Sequence, residues 1–373
     1  MDSESEILGR MRVSIDKGLV KQVDVQRVRS GSHFTECESW LREPVADFLK
    51  LAVPDFSSAT VLDPFAGEGH LFLALNRLLG FGAFVGLDLY APGWLKNDSL
   101  VTIPACNASL ICTNPPYLAK YSAKRKGVWP LVEKYFLSSS LDDLYLIALE
   151  RMLETRLPVV AIVPETFISS GKFRERLERV VVLEKANPFK DTDVPVCVAC
   201  FSAARESGRV LTRYYKDDAF EGDLPELLAA SRVKYSQSSA ARISFNRKDG
   251  LIALKAVDGT APDDRIRFMS AQDFGYDSSN IKVSSRLMTK IAIDGLRRAE
   301  VDEVVVRANA VLEDVRARCK DAALSPFKGN NKSACRRRRL DYGLARGLLA
   351  NALTEMESFG DGDSRQRTLF EMS

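Results

Sequence analysis

The sequence predicts an α/β chain in which a doubly wound, largely parallel sheet is followed by a second, mixed domain. Three observations predict it. From about residue 33 to 202, short apolar runs alternate with stretches of helical periodicity, the pattern of strand–helix units stacked into a parallel sheet. After Glu206-Ser207-Gly208 that alternation fades into polar, turn-rich sequence. The chain of 373 residues also exceeds the roughly 250–300 at which a single core stops growing.

Taken in order, the strands are TVLDPF (60–65), AFVGLDL (83–89), LICT (110–113), LPVVAIVP (157–164), RVVVLE (179–184) and PVCVACFS (195–202). Between them LFLALNRLLG (71–80) is helical with Gly80 as its stop, and 140–156 has a polar start with apolar residues at helix spacing. One clear helical run follows near 300–323. These elements divide the chain into an N-terminal extension (1–30), a first domain (31–206), a second domain (207–358) and a loose tail (359–373) around GDGDSRQR.

Apolar residues at 46% and charged residues at 28% are ordinary globular usage. No run approaches the roughly 18 apolar residues that span a bilayer, so disorder throughout and membrane insertion are excluded. MDSESEILGR has no apolar stretch after a basic one and does not read as a secretory signal. Seven scattered cysteines fit reduced thiols rather than a disulfide framework, and a cytoplasmic location is expected. Of 53 Lys and Arg, 23 fall in residues 1–200 against 25 of the 50 acidic residues, leaving 30 against 25 beyond. The surplus concentrates at 318–346, where Arg318, Lys320, Lys328, Lys332, Arg336, Arg337, Arg338, Arg339 and Arg346 face only Asp321 and Asp341. That segment is a candidate phosphate-binding surface.

The first chemical constellation is Asp63-Pro64-Phe65-Ala66-Gly67-Glu68-Gly69-His70, where a strand passes into a helix. Glycines there let backbone approach a ligand, and the helix start adds free amides. Asp88 in Gly86-Leu87-Asp88-Leu89, about 20 residues on, is placed at the end of the second strand to accept from ribose hydroxyls. Together they describe an adenosine-containing ligand. The turn lacks the third glycine of GxGxxG, which favours a single nucleoside over a dinucleotide.

The second constellation is Asn114-Pro115-Pro116-Tyr117, directly after LICT. Two consecutive prolines donate nothing and fix φ, so the Pro115 carbonyl and the Asn114 side-chain oxygen converge as acceptors on one point. A planar amino group is what such a point holds.

DPFAGEG followed by NPPY resembles the S-adenosylmethionine-dependent amino-methyltransferases, most closely the DNA adenine-N6 methyltransferases of restriction-modification systems in their gamma-type order, with a Rossmann-like catalytic domain first and a target recognition domain last. The similarity covers roughly residues 31–204. It implies that Phe34 and Thr35 in Gly31-Ser32-His33-Phe34-Thr35 pack beside the cofactor's methionine end, although Glu36 stands where a proline often follows. It further implies that Asp63, Pro64, Phe65, Ala66, Gly67 and Gly69 surround the methionine and sugar, that Asp88 and Leu89 meet the ribose, and that Asn107 sits where the family has an acidic adenine-binding residue. Asn114, Pro115, Pro116 and Tyr117 are then catalytic. An exocyclic amine has a delocalised lone pair, and acceptors on both N–H bonds favour the sp3 geometry needed to attack a sulfonium methyl. Tyr117 would stack on the target ring. The implied partners are double-stranded DNA and a cognate restriction endonuclease; the oligomeric state is left open, with a monomer slightly favoured.

A base inside a duplex must be flipped out to reach such a pocket. Phe189 in Asn187-Pro188-Phe189-Lys190 is a candidate second aromatic, and Lys120, Lys124, Arg125 and Lys126 form a basic loop at the mouth of the site. Lys328, Lys332 and Arg336 through Arg339 are candidate DNA contacts in the second domain. Cys197 and Cys200 form a C-x-x-C without a second ligand pair, so no metal site is expected. The competing readings are a cytosine-N4 methyltransferase, which more often has Ser in place of Asn114, an RNA or protein glutamine amino-methyltransferase, and a non-catalytic nucleic-acid-binding protein.

Overall fold

The computed structural model describes residues 38–185, 188–189, 193–204 and 210–370. The chain divides between Asp223 and Leu224 into two compact units. In the first unit, α1 (Glu43–Ala52), β1 (Thr60–Asp63), α2 (His70–Leu79), β2 (Ala83–Asp88), β3 (Leu95–Lys96) and β4 (Leu110–Thr113) come first. They are followed by α3 (Lys120–Arg125), α4 (Trp129–Leu137), α5 (Leu144–Glu154), β5 (Val159–Pro164), α6 (Phe167–Ser170), β6 (Leu177–Val182), β7 (Val196–Phe201), β8 (Arg213–Lys216) and β9 (Ala219–Asp223). One nine-stranded sheet takes the order β3-β2-β1-β4-β5-β7-β6-β8-β9. Neighbours are parallel from β3 through β5 and between β6 and β8, while β7 and β9 run antiparallel to theirs.

That order reverses at β1. The chain leaves β1 through α2 toward β2 at one side and later lays β4 on the other. Right-handed crossovers in opposite directions put helices on opposite faces, so the sheet is doubly wound as expected. All residues of β5 and β7 are buried, which explains their unbroken apolar runs. Pro64 ends β1 two residues short of the predicted 65 because it cannot donate to the ladder. α2 buries Leu71, Phe72, Ala74 and Leu75 and stops at Gly80, whose φ is 78° and whose amide bonds Asn76 O. Cys197 and Cys200 are both buried on β7; three positions apart on a strand they face opposite sides. No cluster of metal-ligating side chains occurs among the described residues.

The unit boundary corrects the cut expected near 205–210. β8 and β9 extend the large sheet, with Arg179 to Val182 registered on Arg213 to Lys216. Only Tyr214 of β8 is buried, and a half-exposed Arg-Tyr-Tyr-Lys strand has no apolar run to announce it.

The second unit contains α7 (Leu224–Ala230), α8 (Gln237–Ala241), β10 (Ile243–Phe245), β11 (Ile252–Lys255), β12 (Arg267–Ser270), β13 (Met288–Ile293), α9 (Val301–Cys319), β14 (Ser325–Asn330), β15 (Arg336–Arg339) and α10 (Tyr342–Phe370). An antiparallel sheet β10-β13-β11-β12 shares a core with the long helices through Ile252, Leu254, Phe268, Ile291, Val304, Leu312, Leu348 and Leu349, and Leu324 and Leu340, which flank the hairpin β14-β15, join it. α10 runs on to Phe370, where a loose tail was expected from 359. Once its first turns are anchored by Leu348, Leu349 and Leu353, each further residue adds a bond at little ordering cost. No helix among the described residues is long and apolar enough to cross a membrane.

Candidate functional site

The carboxyl ends of β1 and β4, adjacent strands on either side of the reversal, form the crevice where open α/β sheets bind ligands. Both chemical constellations lie there. Asp63 closes β1 at 2% exposure. Its Oδ1 accepts from the Phe65 amide at 2.9 Å and from the Thr113 hydroxyl at 2.5 Å. Burial raises its pKa to about 7 against the lowering effect of those two bonds, with the charge of Asp88 adding to the rise.

Three further amides of the turn that follows are met within the protein. Ala66 N bonds Leu87 O at 3.0 Å and Gly69 N bonds Ala66 O at 2.8 Å, while Gly67 N bonds Asp88 Oδ2 at 3.0 Å. Asp88 Oδ1 in turn accepts from the amides of Tyr90 and Ala91, each at 2.7 Å. Asp88 therefore pins the turn to the loop after β2. Three of its roughly four lone-pair directions are used, which leaves one on Oδ2. Leu89 is half-buried beside it and Asn107 is exposed on the loop before β4.

Trp94 is a residue that motif reasoning missed. Its Nε1 donates to Gly67 O at 2.9 Å, and its ring meets Phe72 edge-on at 5.5 Å. A Cβ at Gly86 would lie 2.3 Å from the indole, and one at Gly69, whose φ is 77°, 3.0 Å from it. Gly86 and Gly69 thus make room for Trp94, a packing role that neither ligand approach nor a tight turn implies. The signal is the register: Leu87 pairs with Leu95, so Trp94 stands beside Gly86 on the same face.

On the β4 side, Thr113 is fully buried and Pro115 is buried, while Asn114 and Pro116 are half-buried. The Tyr117 hydroxyl lies between Ile162 O, at 2.8 Å, and Asn114 Oδ1. Its ring is 9% exposed and meets Tyr145 and Phe189 edge-on at 6.4 and 6.2 Å. Burial pushes the phenol well above its ordinary range. Phe189 is itself only 5% exposed. The expectation of two accessible stacking rings is thereby corrected: Tyr117 and Phe189 pack against each other, because both ring faces gain more from this apolar cluster than from water. Asp143 anchors the far end of the loop, its Oδ1 accepting from Leu118 N at 3.0 Å, and burial raises it to about 7.

The basic segment expected as a loop is helical, with Lys120, Lys124 and Arg125 on α3; Lys120 is half-buried, and Lys124, Arg125 and Lys126 are exposed. Phe34 and Thr35 lie outside the described residues. In the second unit Lys328 and Lys332 are exposed, but the arginine run is not a uniform surface. Arg338 is 1% exposed, a correction to its expected DNA contact. Strand alternation sends it inward with Arg336, and its amide bonds Asp258 Oδ2 at 3.0 Å. Arg336 Nη1 bonds Asn330 Oδ1 at 3.0 Å. Arg337 bonds Asp258 O at 2.7 Å and stacks on Phe327 with 4.8 Å to the centroid. Arg339 is half-buried. Asp258 also takes two bonds from Arg316, at 3.0 and 3.2 Å, and Arg316 reaches Asp321 at 2.8 Å. Burial pushes Asp258 up, but Arg316 and the amides of Ile266 and Arg338 outweigh it and hold the carboxyl below its ordinary range.

No family model and no curated protein matches the chain. Solved structures do. A suspected class I S-adenosylmethionine-dependent methyltransferase from Listeria monocytogenes aligns at 14% identity over 52% of this chain and 68% of that one, with a TM-score of 0.36. A type I restriction-modification methyltransferase subunit from Streptococcus thermophilus aligns at 18% identity over 46% of each chain, TM-score 0.32, so the chain spans about half the length of that subunit. The M protein of the type I restriction enzyme EcoKI aligns at 15% identity over 75% of this chain and 71% of that one, TM-score 0.30. All three scores are low, and the fold stands on the strand order itself.

Proposed function

We propose that the chain is a site-specific DNA methyltransferase that transfers a methyl group from S-adenosylmethionine to the N6 amino group of a flipped-out adenine in duplex DNA. The observation that carries this reading is the meeting of the Asp63–Gly69 turn and the Asn114–Tyr117 loop at adjacent strand ends, joined by the Thr113–Asp63 hydrogen bond.

The residues fit a nucleoside better than a dinucleotide. The amides of Phe65, Ala66, Gly67 and Gly69 are committed to protein acceptors, which leaves the turn itself few donors for a pyrophosphate, whereas the spare acceptor on Asp88 suits a ribose hydroxyl. When bound, the cofactor supplies an electrophilic methyl group on a sulfonium. Asp88 holds its sugar, and Asp63 and Gly67 shape the turn around it. Asn114 Oδ1 and the Pro115 carbonyl accept the two N–H bonds of the target amine, favouring sp3 geometry by orientation and electrostatics, since an amide is no general base. The extra proton leaves to solvent. Lys328, Lys332 and Arg337 of the second unit supply phosphate contacts, and a cognate endonuclease is the partner this reading implies.

The test is to express the chain, digest cellular DNA to nucleosides and identify the methylated base by mass spectrometry. N6-methyladenine is expected. N4-methylcytosine would transfer the reading to the cytosine enzymes, and label from tritiated cofactor appearing in RNA or protein would overturn it.

A further inference from the structure

The NPPY loop leads into α3, and this short helix carries an arrangement that the methyl-transfer reading does not use. Tyr121 is 74% exposed, although a tyrosine ring brings a large apolar area that proteins ordinarily cover. Lys124 and Arg125 stand three and four residues on, hence on the same helical face. The Arg125 guanidinium lies 6.0 Å from the Tyr121 ring. Lys124 and Lys120 are held over Trp129, at 4.7 and 5.9 Å from its centroid, and Trp129 is itself stacked on Phe136. From Lys120 to Pro130 the chain has four cations and no acidic residue, and none of the four enters an ion pair among the described residues. The helix is tied to the site at its base, where Ala119 bridges to Asp143 and Lys120 N bonds Asp142 O at 2.8 Å.

We propose that Tyr121, with Lys124 and Arg125 beside it, is a stacking platform for an unpaired nucleobase next to the acceptor site, its cations holding the adjoining phosphates. The inference rests on the nucleic-acid reading above and adds to it a residue and a ligand state. An aromatic face flanked by uncompensated cations is the chemistry that binds single-stranded nucleic acid. An acidic peptide would use the cations and leave the ring idle. Extrusion of one base leaves its partner unpaired, so a platform for such a base belongs at this rim.

The experiment uses the full chain with S-adenosylmethionine and two fluorescein-labelled probes, single-stranded oligo(dA) of about 12 nucleotides and a duplex of the same length. Anisotropy titration of Tyr121→Ala is expected to show single-strand affinity falling roughly tenfold, with duplex affinity changed by less than about twofold, while Tyr121→Phe and Tyr121→Trp keep wild-type affinity. The double variant Lys124→Ala/Arg125→Ala is expected to reduce the salt slope on the single strand by roughly 0.7 per charge. Cofactor affinity by calorimetry is expected to stay at wild type in Tyr121→Ala, which shows the variant to be folded. Equal single-strand affinity in wild type and a folded Tyr121→Ala would overturn the platform and leave the methyltransferase reading standing. Equal loss in Tyr121→Phe would assign the effect to the hydroxyl and overturn stacking. A wild type that binds cofactor but neither probe would overturn both.

Discussion

The Thr113 hydroxyl donates to Asp63 Oδ1 at 2.5 Å across 50 residues of sequence, so the residue that opens the glycine turn and the residue that precedes Asn114 share one buried carboxyl. Whatever changes the charge on Asp63 changes both loops together.

A pH dependence follows. The folded state holds Asp63 at about 7 through burial, above the ordinary carboxylate value of about 4. The fold therefore prefers the protonated form: the stability it contributes is full below about pH 4 and is lost as pH rises through about 7, with a ceiling of roughly 4 kcal/mol. Asp63→Asn keeps the acceptor for Thr113 and removes the titration. The Tm difference between Asp63→Asn and wild type is expected to grow in favour of the variant from pH 5 to 8. A constant difference would mean that Asp63 does not titrate in this window; Asp143, also raised to about 7, is present in both proteins and cancels.

The two loops should also separate functionally. Asn114→Ala is expected to abolish methyl transfer while leaving cofactor affinity within about twofold, and Asp88→Ala to weaken cofactor binding by roughly tenfold or more, the scale of one lost charged hydrogen bond plus a loosened Gly67. Tyr117→Phe keeps the ring and removes the hydroxyl that contacts Asn114 Oδ1. Its expected result is a fall in kcat of about tenfold with cofactor affinity unchanged. Equal loss of binding in Asn114→Ala would place Asn114 in the fold rather than the chemistry.

Gly86 and Trp94 give a packing test. An added methyl at Gly86 would meet the indole at 2.3 Å, and overpacking of this kind costs roughly 1–3 kcal/mol. Gly86→Ala is expected to lose stability by that amount in urea, and Trp94→Leu in the same chain to restore part of it. Additive losses in the double variant would show that the two residues do not share this space.

These relationships also show which parts of the site were legible in the sequence. Asp63–Gly69 and Asn114–Tyr117 are readable because each is a run of consecutive residues whose backbone requirements are local. Asp88 is readable from its spacing at a strand end. Trp94 is not, because its place depends on a two-residue strand whose register with β2 exists only in the folded sheet. Burial of Tyr117 against Phe189 is hidden for the same reason, since 72 positions separate residues that meet at 6.2 Å. The arginine run misleads in another way. Four adjacent cations look solvated, yet on a strand every second one turns inward, and Asp258, 80 residues away, waits there for the Arg338 amide.

That burial changes what the basic cluster can be asked to do. Lys328, Lys332 and Arg337 lie on or near the outward side of the β14–β15 hairpin; Arg337 bonds neutral carbonyls at Asp258 and Lys328, which leaves its charge uncompensated by those bonds. The Arg316 guanidinium and the Arg338 amide instead hold a buried carboxylate. Replacing Lys328, Lys332 and Arg337 with alanine should flatten the dependence of log K on log salt by about 0.9 per lost phosphate contact on duplex DNA, with little loss of stability. Arg316→Leu should do the opposite, leaving Asp258 and Asp321 without their shared cation and lowering stability by roughly 3–5 kcal/mol, while the slope measured on protein that remains folded stays at wild type. Titration at several salt concentrations, paired with urea unfolding, separates the two. If the triple variant keeps the wild-type slope, the hairpin is a solvated surface and DNA contacts must come from another face of the second unit. If Arg316→Leu flattens the slope without losing stability, the buried network has been misread and Arg316 reaches the phosphates itself.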